Sequence, residues 1–108
     1  DLATATATQV RIHHALGLAP PRYRHHLLLL AEEGGKLAKL HGSIPASRLR
    51  AHHDGPGLCG VLAHACGLRA TPAPTSPRAL VDDFDWSRVA VDDRHATWTA
   101  AGLVVSQP

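Results

Sequence analysis

Lys36 and Lys39 are the only lysines in a chain that otherwise takes its positive charge from nine arginines. They stand three residues apart, directly behind Gly34 and Gly35. A lysine is a compact charge on a flexible stem and can reach a phosphate from a loop, whereas arginine presents a rigid planar fork. The paired glycines give such a loop conformational freedom. The chemistry these residues suit is therefore electrostatic, with two ammonium groups set against phosphate charge. A solvated surface turn carrying two charges has the same residue types, and the spacing alone does not separate the two readings.

Other reactive side chains are plentiful but poorly spaced for chemistry. Nine histidines include the pairs His13-His14, His25-His26 and His52-His53. Adjacent residues point to different sides of a helix or strand, so a pair does not readily supply two ligands to one ion, and no Cys/His spacing of the zinc type is present. No metal site is expected. Cys59 and Cys66 fall seven apart on one expected helix, which puts their Cα atoms about 10 Å apart, beyond the reach of a disulfide. Both are expected to be buried thiols in a reducing compartment. A Ser/His/Asp triad can be drawn on paper, but no nucleophile elbow supports it.

The elements that must position the lysines can be read from turn chemistry and periodicity. Residues 4–16 suit a helix, with Thr4 or Thr6 as N-cap, Val10, Ile12 and Leu16 as apolar residues, and Gly17 as its stop. Pro20 and Pro21 then allow only a turn. Residues 22–30 read as a strand whose four consecutive leucines, Leu27 to Leu30, suit burial on both faces; periodicity leaves a short buried helix open. The lysine loop follows. Pro45 fits the start of a short helix over 46–52.

Residues 54–57, Asp-Gly-Pro-Gly, read as a break. Leu58, Val61, Leu62 and Ala65 then recur at helical spacing up to Gly67. Three prolines within 69–77 make a stiff linker rather than a packed element, and 78–84 can form one more short helix. In the tail from Ala90, the apolar residues around Gly102 suit either a hairpin covering a sheet edge or a disordered end.

Taken together, these strings resemble a known family. Ala15-Leu16-Gly17-Leu18-Ala19-Pro20-Pro21-Arg22-Tyr23-Arg24-His25, the leucine run, and Gly34-Gly35-Lys36-Leu37-Ala38-Lys39-Leu40-His41-Gly42 look like the second half of the catalytic domain of class I glutamyl-tRNA synthetases. The likeness is closest to the short paralogue without an anticodon-binding domain, the glutamyl-queuosine tRNA(Asp) synthetases. In that family a strand leads into the KMSKS loop, and the match places the loop's lysines on Lys36 and Lys39. Asp1, Leu2, Thr6 and Gln9 fall where the family opens a helix with Asp-Leu-Leu-x-x-Thr-x-Arg-Gln. His25 matches a histidine near the nucleotide side of the strand. The resemblance runs without a gap over residues 1–42, is looser to Val89, and stops there.

Departures from the family pattern each remove a polar group. Ala38 replaces the serine of the loop, Leu40 replaces a basic or polar residue, and Thr8 replaces the arginine before Gln9. The family's His-x-Gly-His element, which belongs to the first half of its catalytic domain, has no match here.

The resemblance implies a mainly helical α/β fragment. Residues 1–42 would be the end of a Rossmann-like nucleotide-binding catalytic domain, 43–89 a small helical module that contacts the acceptor stem, and 90–108 a tail of unknown role. It implies a segment of an ATP-dependent glutamate–tRNA ligase, needing an upstream half for activity. Lys36 and Lys39 would be catalytic and ATP-binding, His25 ATP-binding, and Arg48 and Arg50 tRNA-binding. ATP with Mg2+, glutamate and tRNA would be its substrates and partners. A non-catalytic RNA-binding or regulatory relic of the same fold is the other reading. A small structural or interaction protein whose match is accidental is a third.

Composition sets wider bounds. A chain of 108 residues, 44% hydrophobic and with four aromatics, fits at most one domain with a core of Leu, Val and Ala. Its net charge of +2 does not by itself signal nucleic-acid binding. Locally, though, Arg22, Arg24, Lys36, Lys39, Arg48 and Arg50 make the first half basic, while five aspartates from Asp82 to Asp93 make the last third acidic. No run of eighteen apolar residues and no signal peptide is visible, so a cytoplasmic protein with no membrane segment is expected. A first residue that is Asp rather than Met, inside a matched motif, suggests a piece of a longer chain.

Overall fold

The computed structural model describes residues 3–35 and 44–106. Its helices are α1 (Thr6–Ala15), α2 (Ala46–His52), α3 (Gly55–Ala65) and α4 (Pro77–Asp82), with a 3-10 turn at Trp86–Arg88. Its strands are β1 (Leu29–Leu30), β2 (Arg94–Thr99) and β3 (Gly102–Val105), in the order β1-β2-β3. β1 and β2 run parallel, with Leu29 opposite Arg94. β2 and β3 form an antiparallel hairpin in which Trp98 faces Leu103. A parallel pair needs a long crossover, and here it contains the three later helices. This is an α/β arrangement with more residues in helices than in strands.

The expected strand over 22–30 is only two residues long in the structure. β1 is an edge strand, and its one neighbour starts at Arg94, opposite Leu29. Residues before that point are tied outside the ladder: the Leu27 N–H donates to the Ala90 carbonyl at 3.0 Å, the Leu28 N–H donates to Asp93 Oδ1 at 2.8 Å, and the Leu28 carbonyl accepts from the Arg94 N–H at 2.9 Å. Of the four leucines only Leu27 is buried; Leu28, Leu29 and Leu30 are half-buried. Burial on both faces needs other elements packed over both faces of the sheet, and the half-buried Leu28, Leu29 and Leu30 lack that full cover.

Helix starts differ from expectation in two places. At α1 neither Thr4 nor Thr6 is the N-cap; Ala5 is, with no side-chain cap. The Thr6 hydroxyl instead shares a hydrogen bond of 3.2 Å with His25 Nε2. The break expected at 54–57 is the first turn of α3. Asp54 is its N-cap and accepts from the Gly57 N–H at 2.7 Å, and Pro56 sits where a missing N–H costs nothing. α3 ends as expected, with Gly67 at φ +80°, a conformation glycine adopts without strain. Pro45 precedes α2 as expected.

The proline-rich stretch after Arg69 has no helix or strand, yet it is packed rather than free. Its Thr75 N–H donates to the Pro56 carbonyl at 3.0 Å, and a Cβ on Gly60 would collide with the Ala73 carbonyl. α2 and α3 both pack on β3. Among the described residues the buried apolar set is Leu27, Ala63, Ala65, Ala96 and Leu103. The tail takes the first of its two expected forms, a hairpin, and it supplies the middle strand of the sheet.

Candidate functional site

Lys36 and Lys39, with Ala38 and Leu40, lie outside the described residues. The turn that leads to them is described. The Ala31 N–H donates to the Gly35 carbonyl at 2.7 Å, and the Gly34 N–H donates to the Ala31 carbonyl at 2.8 Å. Gly34 holds φ +81°, so its role is a closed left-handed turn rather than simple looseness. On the far side the chain returns at Ile44 and enters α2.

His25 is placed with two other residues singled out from the sequence. Thr6 and Gln9 of α1 and His25, four residues before β1, line a cleft of about 330 Å³ together with Tyr23, Arg24 and His26. α1 brings Thr6 and Gln9 to one side because residues three apart share a helix face. The cleft offers a guanidinium, two imidazoles, an amide and a phenol. These are donors suited to a polar or anionic ligand. Arg24 is held near the exposed Trp86 ring, its guanidinium carbon 5.9 Å from the centroid. Sequence reasoning passed over Tyr23 and Arg24 as site residues, although both stand beside His25 in the matched string.

The structure does not bring the Arg48 and Arg50 side chains together. Two residues apart on a helix, they do not share a face. Arg48 lies over Trp98, its guanidinium carbon 4.7 Å from the ring centroid. Arg50 is exposed and has no partner among the described residues. Trp98 belongs to the tail, for which the sequence suggested no function.

The charge pattern also resolves into local pairings. Asp83 binds Arg69, Asp82 binds Arg78 at 3.2 Å, Asp85 accepts from the Ser87 N–H at 2.8 Å, and Asp93 holds Leu28. The Arg69 hydrogen bond holds the Asp83 carboxyl below the usual aspartate range, and the Ser87 N–H does the same for Asp85. Both cysteines are free and half-buried, and burial pushes the Cys66 thiol up. Arg94 keeps Nε and Nη1 buried without a hydrogen-bond partner. No group of three or more metal-binding side chains could hold an ion among the described residues. No helix among them is long and apolar enough to cross a membrane.

Comparison with known proteins bears on the whole arrangement. Over 90 residues, 82% of its length, the chain is 37% identical to the glutamyl-Q tRNA(Asp) synthetase of Symbiobacterium thermophilum. Over 85 residues it is 41% identical to the protein of the same name from Deinococcus radiodurans. The family is that of the glutamyl-tRNA synthetases. It extends to the glutamate–tRNA ligase 1 of Rhodospirillum rubrum, 38% identical over 74 residues, or 68% of the chain. The chain spans 28%, 29% and 17% of these three synthetases. No family model and no solved structure matches it.

Proposed function

We propose that this chain is a working segment of an ATP-dependent glutamate–tRNA ligase, which joins glutamate to AMP and passes the glutamyl group to tRNA. The observation that carries this reading is the 37% identity with a glutamyl-Q tRNA(Asp) synthetase over 82% of the chain. The clustering of Thr6, Gln9 and His25 around one cleft supports it, since all three sit at positions of the family pattern.

In the first step the glutamate carboxylate attacks the α-phosphate of ATP and pyrophosphate leaves. Negative charge builds on the leaving group, and Lys36 and Lys39 supply cations to it. Cations and dipoles in place before charge develops typically contribute several kcal/mol to lowering a barrier. His25 belongs to the ATP side of the site, and Arg50, with Arg48, to the tRNA side. Mg2+ would travel on the ATP phosphates rather than in a protein cage. A nucleotide-binding half upstream in sequence completes the active site, and the whole works in the cytoplasm.

ATP–pyrophosphate exchange in the presence of glutamate tests the reading. Lys39→Ala is expected to lower kcat by roughly 10²–10³ while leaving the KM for glutamate nearly unchanged, as for loss of one charge-stabilising group. An exchange-competent protein whose Lys39→Ala variant is unimpaired overturns the role given to the lysine.

A second reading has its own motive in Ala38, Leu40 and Thr8, each of which lacks a polar group of the family pattern. It is an RNA-binding relic of the fold. It requires salt-dependent tRNA binding without any exchange activity.

A further inference from the structure

The β2–β3 hairpin touches both described ends of the stretch that carries the two lysines. At the departing end, His95 Nδ1 donates to the Ala31 carbonyl at 3.1 Å, and the Thr97 hydroxyl donates to Glu32 Oε1 at 2.8 Å. His95 and Thr97 are two apart on a strand and so share a face. At the returning end, Arg48 lies over Trp98, and the His52 ring meets Trp98 edge-on at 5.1 Å between centroids. The neighbouring His53 accepts at Nε2 from the Leu103 N–H at 2.9 Å.

Neither end has much else to hold it. β1 is two residues long, and α2 is a seven-residue helix with no buried residue. Helices this short are marginal in water unless something packs against them. What packs against α2 is β3, with Trp98 of the adjoining strand. Gly102 shows how close the fit is: at φ +107°, a Cβ there would run into the His53 ring.

We propose that the hairpin of residues 94–105 is a brace that fixes the spacing between residues 31–35 and 44–52, with Thr97 and Trp98 as positioning residues for the lysine-bearing stretch between them. The proposal rests on the reading of Lys36 and Lys39 given above. It gives the tail, where the family resemblance ends, a part in the reaction of the whole. Thr97 acts through Glu32 at one end, and Trp98 acts through Arg48 and His52 at the other.

Amide hydrogen exchange on the protein tests the brace without relying on activity. The probe is the Gly34 N–H, bonded to the Ala31 carbonyl inside the turn. Thr97→Val keeps the shape of the strand and removes the hydroxyl, and Glu32→Ala removes the acceptor without touching the hairpin. Both variants are expected to speed Gly34 exchange about fivefold, the fold-change that loss of one ordinary hydrogen bond gives. Thr97→Ser, which restores the donor, is expected to return it to the wild-type rate.

Protection at Leu103 reports whether the hairpin itself stays folded; if Thr97→Val loses it, Glu32→Ala decides. Unchanged Gly34 exchange in Glu32→Ala and in a folded Thr97→Val overturns the brace, whatever the lysines do. A loosened turn with serine rescue supports it even where Lys39→Ala leaves pyrophosphate exchange unimpaired, and then it is the role of the lysine that fails.

Discussion

Arg69 Nη1 donates to both carboxylate oxygens of Asp83, at 3.1 and 2.8 Å, while Nη2 reaches Asp83 Oδ1 at 3.2 Å and the Ala79 carbonyl at 3.0 Å. The guanidinium thereby joins the end of α3 to α4 across a stretch with no regular structure. Its planar fork suits this task and a lysine would not. The pairing has a consequence for pH. Hydrogen bonding from Arg69 lowers the Asp83 pKa in the folded chain, so the contribution of this pair to stability is complete above the ordinary aspartate pKa of about 3.9. It is lost as pH falls from there through the lowered folded value. Urea denaturation in a series from about pH 5 down to about pH 3 should therefore show stability falling with acid, and falling less steeply in Arg69→Ala. In the same variant an NMR titration should return the Asp83 carboxyl towards its ordinary value. An Asp83 titration that does not move would mean that the ion pair is not formed in solution.

Among the elements, α3 is the one whose packing depends most on a single atom not being there. Gly60 is buried, and a Cβ on it would meet the backbone carbonyls of Ala73 and Pro72, which have no side-chain freedom with which to move aside. Alanine is the better helix former by up to about 1 kcal/mol, but overpacking against backbone costs about 1–3 kcal/mol. Gly60→Ala should therefore lower the urea midpoint. Gly55→Ala in the same helix, where a Cβ meets nothing within 4 Å, should leave the midpoint unchanged or raise it. Equal effects at the two positions would show that the proline stretch does not pack on α3. The helix itself was legible, because Leu58, Val61 and Gly67 carry its period and its stop in neighbouring residues. Its true start was not: Asp-Gly-Pro-Gly signals a turn equally well, and only the Asp54 cap to Gly57 makes it a first turn. The central place of β2 could not be read either. Its partners Leu29 and Leu30 lie 65 residues away, and such non-local pairing leaves no periodic mark near Arg94. At the candidate site, the matched string pointed to His25, Thr6 and Gln9, whereas nothing about Trp98 in sequence told of Arg48.

At the scale of the whole molecule, extension and charge matter more than the core. The radius of gyration is 16.4 Å, against about 13 Å for a compact chain of this length, and the described residues contain no large side chain that is fully buried. Long-range ties through single groups, such as the Ala90 N–H to the Cys66 carbonyl, do much of the joining. Of the aspartates of the last third, Asp83 and Asp93 are among these ties, to the Arg69 guanidinium and to the Leu28 N–H. The basic residues of the first half are spent unevenly: Arg24 and Arg48 lie against tryptophans, and Arg50 points to solvent without a partner among the described residues. If the chain contacts tRNA as proposed, these two kinds of arginine should lose binding in different ways. Arg50→Ala should weaken tRNA binding and reduce the slope of log K against log salt by about 1, the signature of one phosphate contact, with the fold unchanged. Arg48→Ala should also uncover Trp98 and shift tryptophan fluorescence towards that of exposed indole, because its guanidinium lies over that ring. A salt slope that is the same in Arg50→Ala and the parent chain would remove Arg50 from the tRNA surface.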